Sequence, residues 1–263
     1  MRLSEIFSII EKVAPPAIAA AWDASGLQVA SRRSAASSLA LCLDPTPEAI
    51  GHALEKKAEV IVSHHPLNLK PGLPNRQDAY YHALRLLFAA DVPLYAAHTT
   101  LDANPDGPAG WLAEELELTN LEVLEPVAPP LRLGGLPAGF GLVGDLPAPQ
   151  SLEEIMRTLA GLVDLSTAAL CGPTPENVTR LAYCAGSGAD LLGKAASLDA
   201  QLFITGDVKY HMALTAEICL LDAGHHSLEE EMMRRLSRTL QKQLVPLTVF
   251  FVPSSSPRRA LVL

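Results

Sequence analysis

Three short segments of this chain gather imidazoles and carboxylates: "VSHHPL" with His64 and His65, "AAHTTLD" with His98 and Asp102, and "DAGHHSLE" with His225, His226 and Glu229. Imidazole nitrogens mixed with carboxylate oxygens suit Zn, Fe, Mn, Co or Ni, and the lack of a thiolate cluster argues against a structural zinc site. Five or six such groups are more than one catalytic cation needs. A carboxylate can bridge two cations, which two-metal sites hold ~3.5–4 Å apart, and Asp102 and Glu229 are the carboxylates available. Plainer roles compete for the same residues. His64 and His65 could be a structural pair, His226 could face solvent, and Asp102 in "LDANPDG" could be a turn residue. His52 and His82 read as surface positions on helices, and Asp106-Gly107 as a turn.

The segments sit where an α/β sheet would place a site. "SLALCLD" and "EVIVS" are apolar runs that read as buried strands, and "TPEAIGHALEKKA" between them reads as a helix with Thr46 at its N-cap and Pro47 in its first position. "DAYYHALRLLFAAD" is a helix, "VPLYAAH" a strand and "GPAGWLAEELEL" a helix. At the start, "LSEIFSIIEKV" is an amphipathic helix capped by Ser4. After residue 150 the alternation resumes through "RLAYCAG", "GADLLGKAASL", "AQLFITGD" and "KYHMALTAEIC" to "LLDAGH", a long helix and a final strand "LTVFFV". In the long helix "SLEE" reads as a capping box, with Ser227 at the N-cap and Glu230 answering it, which leaves His225 just before the helix.

The pattern predicts an α/β fold of two similar lobes, each a mainly parallel sheet flanked by helices. The lobes are expected at residues 1–125 and 126–263, joined through the Pro/Gly-rich stretch 126–150, within which "GFGLVGDL" could be a strand. "LALCLDPTPEAIGHALEKKAEVIVSHHP" and "LAYCAGSGADLLGKAASLDAQLFITGDV" share a layout of strand, turn, helix and strand. One ends at His64-His65 and the other at Thr205-Gly206-Asp207. Ligands in such sheets collect at the carboxyl ends of the strands.

With 49% hydrophobic and 19% charged residues, the 263-residue chain has the composition of a globular protein. A net charge of −9 argues against a broad nucleic-acid surface. No apolar run approaches the ~20 residues that a membrane helix needs, and charges at Glu5, Glu11 and Lys12 speak against a secretory signal. Cys42, Cys171, Cys184 and Cys219 lie far apart with no Cys-x-x-Cys pair. They read as thiols of a reducing compartment, and a cytoplasmic protein is expected.

Six segments taken in order, "WDASGLQV", "VSHHPL", "AAHTTLD", "CAGSGADLL", "FITGDVKYH" and "DAGHHSLE", resemble those of the NIF-three-like proteins, the type 2 GTP cyclohydrolase I-like family. The resemblance covers nearly the whole chain. It implies a two-lobed α/β fold with two divalent metal ions in the cleft between the lobes, and a toroidal homohexamer. Carried over by motif, the metal ligands are His64, His65, Asp102, His225 and Glu229, while His98 is an additional ligand or a catalytic acid/base group. The chain departs from the family pattern at "PLNLKPGLP", which lacks Phe, at Ala24-Ser25 in "WDASGLQ" and at Thr100 in "HTTLD". It also corresponds to the short form of the family, without the domain inserted in longer members. Trp22 and Asp23 read as a turn with a buried indole, with a place in the pocket as the alternative.

The resemblance implies a metal-dependent hydrolase that opens the purine imidazole ring of GTP to give dihydroneopterin triphosphate. Lys70, Lys209 and the glycines of "AGSGAD" are the groups that could meet a triphosphate. Two rivals stay open: a metal-binding regulatory or interaction scaffold, and a hydrolase or oxidase acting on another substrate.

Overall fold

The computed structural model describes residues 1–70 and 72–260. Pro71 of the "PLNLKPGLP" loop and the last three positions of the expected second lobe lie outside the described residues. The chain folds into two compact units. One comprises Met1–Leu101 with Met233–Ser254, and the other Asp102–Met232 with the segment from Ser255.

The first unit opens with helix α1 (Leu3–Val13), whose Ile6, Ile10 and Val13 recur at helical spacing and are buried. Its N-cap is Arg2 rather than the expected Ser4: Glu5 reaches back to the Arg2 backbone N–H at 3.0 Å, so the helix starts one residue ahead of the serine. A five-stranded sheet follows, built from β1 (Gly26–Val29), β2 (Ser38–Cys42), β3 (Val60–Ser63), β4 (Leu94–Ala96) and the late strand β11 (Thr248–Phe251), in the order β1-β4-β3-β2-β11. Strands β4, β3, β2 and β11 pair in parallel, and β1 runs antiparallel to β4. Helices α2 (Pro47–Glu55) and α3 (Ala79–Ala90) connect parallel strands. Ile50, Ala53, Ala83 and Leu87 of these helices join Ala40, Ile61 and Leu94 of the strands in one apolar core. Both faces of the central strands are covered, which explains their unbroken apolar runs.

Thr46 caps α2 as expected, its hydroxyl accepting from Ala49 N at 3.1 Å. Thr46→Ala is expected to cost about 1 kcal/mol, seen as a lower urea midpoint; an unchanged midpoint would deny the cap its role.

The second unit begins at the end of the short helix α4 (Thr99–Asp102), continues through α5 (Trp111–Glu115) and enters a long hairpin of β5 (Thr119–Pro130) and β6 (Pro137–Gln150). Residues 126–150, expected as a junction, are thus mostly paired strand. Their prolines and glycines are accommodated by register shifts between Pro126 and Ala128 and between Ala128 and Pro130, since bulges tolerate residues that a regular ladder does not. At Gly139 a Cβ would run into the Glu125 carbonyl, so close backbone approach explains this glycine.

The unit continues with α6 (Leu152–Ala160), β7 (Ala169–Cys171), β8 (Val178–Tyr183), α7 (Leu192–Ser197), β9 (Leu202–Thr205), α8 (Tyr210–Leu214), β10 (Cys219–Asp222) and α9 (His225–Gln243). The sheet order is β5-β6-β8-β9-β10-β7, with β8, β9 and β10 parallel and the other neighbours antiparallel. This sheet is mixed, because a hairpin needs no crossover helix, and the alternation of strands and helices signals only its parallel part. Leu192 and Ala195 of α7 pack with Val143, Ala182, Phe203 and Leu220 of the strands. The two segments noted as similar form equivalent structures: β2-α2-β3 in one unit and β8-α7-β9 in the other, each with its two strands paired in parallel. Among the described residues no helix is long and apolar enough to cross a membrane.

Candidate metal centre

In the first unit the parallel strands end side by side, and the residues just beyond them carry the chemistry. β3 ends at Ser63 and delivers His64 and His65; β4 ends at Ala96 and delivers His98; β2 ends at Cys42, two residues before Asp44. His64, His65 and His98 each offer a ring nitrogen within 4.8 Å of the other two. Their rings pack with centroids 4.9 to 5.5 Å apart. Each ring is turned by a bond at Nδ1. That of His64 meets the Ala97 carbonyl at 2.9 Å, that of His65 the Asp44 carboxylate at 2.8 Å, and that of His98 the Asp23 carboxylate at 2.7 Å. An oxygen at Nδ1 makes that nitrogen the proton carrier and directs a metal to Nε2, the arrangement that metal-binding histidines favour.

Asp23 is the most heavily engaged of these carboxylates. Besides His98 it accepts from Ser25 Oγ at 2.5 Å, Thr99 Oγ1 at 2.5 Å and Thr99 N at 3.2 Å. Burial disfavours its charge, yet the bonds from His98, Ser25 and Thr99 outweigh burial and hold the carboxyl below its ordinary range. An ionised Asp23 keeps the His98 ring in one tautomer.

In the second unit His225 and Glu229 lie one turn apart on α9, with His225 Nε2 2.9 Å from Glu229 Oε2. His225 opens this helix rather than preceding it, and Ser227 does not act as the expected cap: its hydroxyl donates to the Asp164 carbonyl at 2.7 Å. The helix therefore starts three residues earlier than the capping-box pattern suggests, at His225 instead of Leu228, and both groups point along one face. The Asp207 carboxylate, just beyond β9, accepts at His225 Nδ1 at 2.7 Å, and Arg258 Nη2 donates to its other oxygen at 3.0 Å. Burial works against a charged His225, but Glu229 and then Asp207 outweigh it and push its pKa up to about 9. This environment favours positive charge at the ring.

Glu229 is 3% exposed and packs against the turn after β8. Gly186 has φ +66°, and a Cβ there would collide with Glu229 Oε1. Gly206, after β9, likewise leaves room for the His225 backbone. The Gly186-Ser187-Gly188 turn is a close-approach turn: the Gly188 N–H is spent on Thr205 Oγ1 at 2.9 Å, and the helix it opens is short. Asp102, at the end of α4, lines a cavity of about 20 Å³ with Pro105, Leu142, Tyr183 and Cys184, enough for one water. Burial and the charges of Asp102 and Glu229 push the Cys184 thiol up, which keeps it protonated.

Within the units, then, three predicted residues meet in one cluster and two in the other. His226 stands apart with Glu230, 3.9 Å away. Lys70 and Lys209 are exposed. Trp22, expected as a buried indole, is 63% exposed, and the buried indole is Trp111 at 1%. The orienting roles of Asp23 and Asp44 were missed, although Asp44 follows an apolar strand as His64 does, and such an acid beside a histidine-bearing strand end is a readable signal.

Comparison with known proteins relates the chain to one family. A family model described as Duf34/NIF3 (NGG1p interacting factor 3) matches residues 1–257. The chain is 31% identical over 250 residues to a "GTP cyclohydrolase 1 type 2 homolog" of Clostridium perfringens, covering 93% of each. It is 27% identical over 264 residues to a "Protein NIF3 homolog" of Schizosaccharomyces pombe, covering 94% of this chain and 93% of the other. The solved structure of reduced HcgD from Methanocaldococcus jannaschii superimposes with a TM-score of 0.82 at 26% identity, covering 96% of this chain and 98% of that one.

Proposed function

Because this chain belongs to the Duf34/NIF3 family and orients imidazoles and carboxylates in both of its units, we propose that it is a divalent-metal-dependent hydrolase. The residues that would hold its two cations are His64, His65, Asp102, His225 and Glu229. The observation that carries this reading is the Nδ1 bond made by each of the four histidines His64, His65, His98 and His225 to a carbonyl or carboxylate oxygen, at 2.7 to 2.9 Å. A structural histidine needs no such uniform orientation; a ligand does. The donors fit the group: imidazole nitrogens, with a cation taking the place of the Nε2 proton at His225, and carboxylate oxygens, with no thiolate in the set. Divalent cations bound there supply Lewis acidity toward a scissile group and toward water.

The residues of the chain divide the remaining work. Asp44 and Asp207 hold His65 and His225 in register, and Arg258 steadies Asp207. His98, oriented by Asp23 and near the histidine pair, carries a proton to or from the reacting group at Nε2. The substrate is a small molecule. Relatives named GTP cyclohydrolase 1 type 2 homologs favour GTP: water would add at the purine C8 and open the imidazole ring, a second water would release C8 as formate, and the freed amine would close on the ribose carbons with loss of water to give dihydroneopterin triphosphate. We place the protein in the cytoplasm as a homohexamer.

The test is incubation of the metal-reconstituted protein with GTP, following the appearance of a pteridine spectrum. Turnover is expected in the unaltered chain, absent in Asp102→Ala and strongly reduced in His98→Ala. A fully metal-loaded chain that leaves GTP untouched would remove this substrate. The family description as an interacting factor favours a second reading, a metal-holding interaction scaffold. That reading predicts partner binding unaffected by Asp102→Ala.

Asp207→Asn is expected to weaken metal affinity 10- to 100-fold, the usual effect of removing a ligand's orienting partner, as measured by competition with a chromophoric chelator. Unchanged affinity would take Asp207 out of the site.

A further inference from the structure

The chain has two tryptophans, and they are used in opposite ways. Trp111 is sealed in the interior at 1% exposure, whereas Trp22 is 63% exposed. An indole is the largest apolar side chain, and leaving it in water forgoes the stabilisation its burial would bring. Nor does Trp22 ride on a loose loop. On one side Ala20 N donates to Thr99 Oγ1 at 3.0 Å, and on the other Asp23 N donates to the Ala20 carbonyl at 2.9 Å. Asp23 itself is bound to Ser25, Thr99 and the His98 ring. The turn 20–23 is thereby tied to the segment that carries His98. The indole and the His98 imidazole meet in a T, with centroids 5.6 Å apart and planes at 73°. A perpendicular contact of this kind engages one part of the indole and leaves the rest of its surface open.

We infer that Trp22 is a stacking platform that receives the planar heteroaromatic ring of the substrate and sets it beside His98. A rigid, exposed, electron-rich face suits a flat ring with polar edges, such as a purine or a pteridine, because stacking uses the faces and leaves the edges for hydrogen bonds. Trp22 is a positioning and specificity residue rather than a ligand. Its role rests on the reading that His98 acts on the substrate, but it does not depend on how many cations the protein holds.

The experiment uses the full metal-reconstituted chain, its Trp22→Ala and Trp22→Phe variants, GTP as the probe and tripolyphosphate as a control without a ring. GTP is expected to quench the emission of the exposed indole in the unaltered chain, and tripolyphosphate to leave it unmoved. Trp22→Ala should bind GTP roughly 5- to 150-fold more weakly by calorimetry, the usual range for losing a base–aromatic stack, while Trp22→Phe recovers most of the affinity. Metal content, measured on the same samples, should be equal in all three.

Equal GTP affinity in Trp22→Ala would overturn the inference, as would GTP binding that leaves the emission unchanged. Loss of metal in Trp22→Ala would make the residue structural. A change of particle size in that variant with GTP affinity intact would make Trp22 a subunit contact. If the unaltered chain retains metal but binds no GTP, the platform falls and the metal centre stands; if GTP quenches Trp22 in a chain that holds no metal, the reverse follows.

Discussion

Glu229→Ala is expected to purify with at least one metal equivalent fewer than the unaltered chain, whereas His226→Ala, altered only three positions away, keeps its full content. The contrast follows from the first turn of α9. Glu229 is 3% exposed and shares a helix face with His225, whose Nε2 lies 2.9 Å from its carboxylate. His226 points elsewhere, toward Glu230 at 3.9 Å. Removing the Glu229 carboxylate takes both charge and a donor atom from the second unit's set, leaving His225 with Asp207 as its acidic neighbour. Elemental analysis of both purified variants reads the difference. Full metal in Glu229→Ala would exclude that residue as a ligand, and loss in His226→Ala would show that the two histidines had been assigned the wrong way round.

The second large effect comes from a residue with no side chain. Gly186→Ala introduces a Cβ at a position with φ +66°, where an L-residue is disfavoured by roughly 1–2 kcal/mol, and the new carbon collides with Glu229 Oε1. The carboxylate must move, so this variant is expected to reproduce the metal loss of Glu229→Ala while retaining every ligand. It should also unfold at lower denaturant. Gly193→Ala is the matched control. It lies in α7 with nothing near the added carbon, and should keep its metal and gain up to about 1 kcal/mol from helix propensity. If both alanine variants retain metal equally, the close approach of Gly186 to Glu229 has no bearing on the site.

What could be read from the sequence follows from where the signals are local. Apolar runs such as "EVIVS" and "LFIT" mark strands buried on both faces, and Thr46 before Pro47 marks a helix start; both are consequences of a few adjacent residues. The hairpin of β5 and β6 was less legible, because its prolines and glycines, the usual marks of a loop, are absorbed by bulges that depend on the partner strand. The start of α9 was misplaced for a similar reason. Ser227 has the right type and spacing for a cap, but the Asp164 carbonyl, far away in sequence, takes its hydroxyl. The histidines were visible as residue types at strand ends. Their orientation was not, because Asp23, Asp44 and Asp207 reach them from other loops, and such pairings exist only once the strands are side by side. The exposure of Trp22 belongs to the same class, since an indole beside an aspartate reads as a core residue until the turn around it is seen.

The most direct test is a crystal structure of the metal-loaded protein with anomalous scattering recorded at the absorption edge of the bound element. Two peaks are predicted, ~3.5–4 Å apart, ligated by His64 and His65 together with Asp102, His225 and Glu229. Peaks held by other residues, or cations bound by the first unit's histidines with Asp102, His225 and Glu229 outside their coordination, would contradict the shared centre on which the proposed chemistry depends.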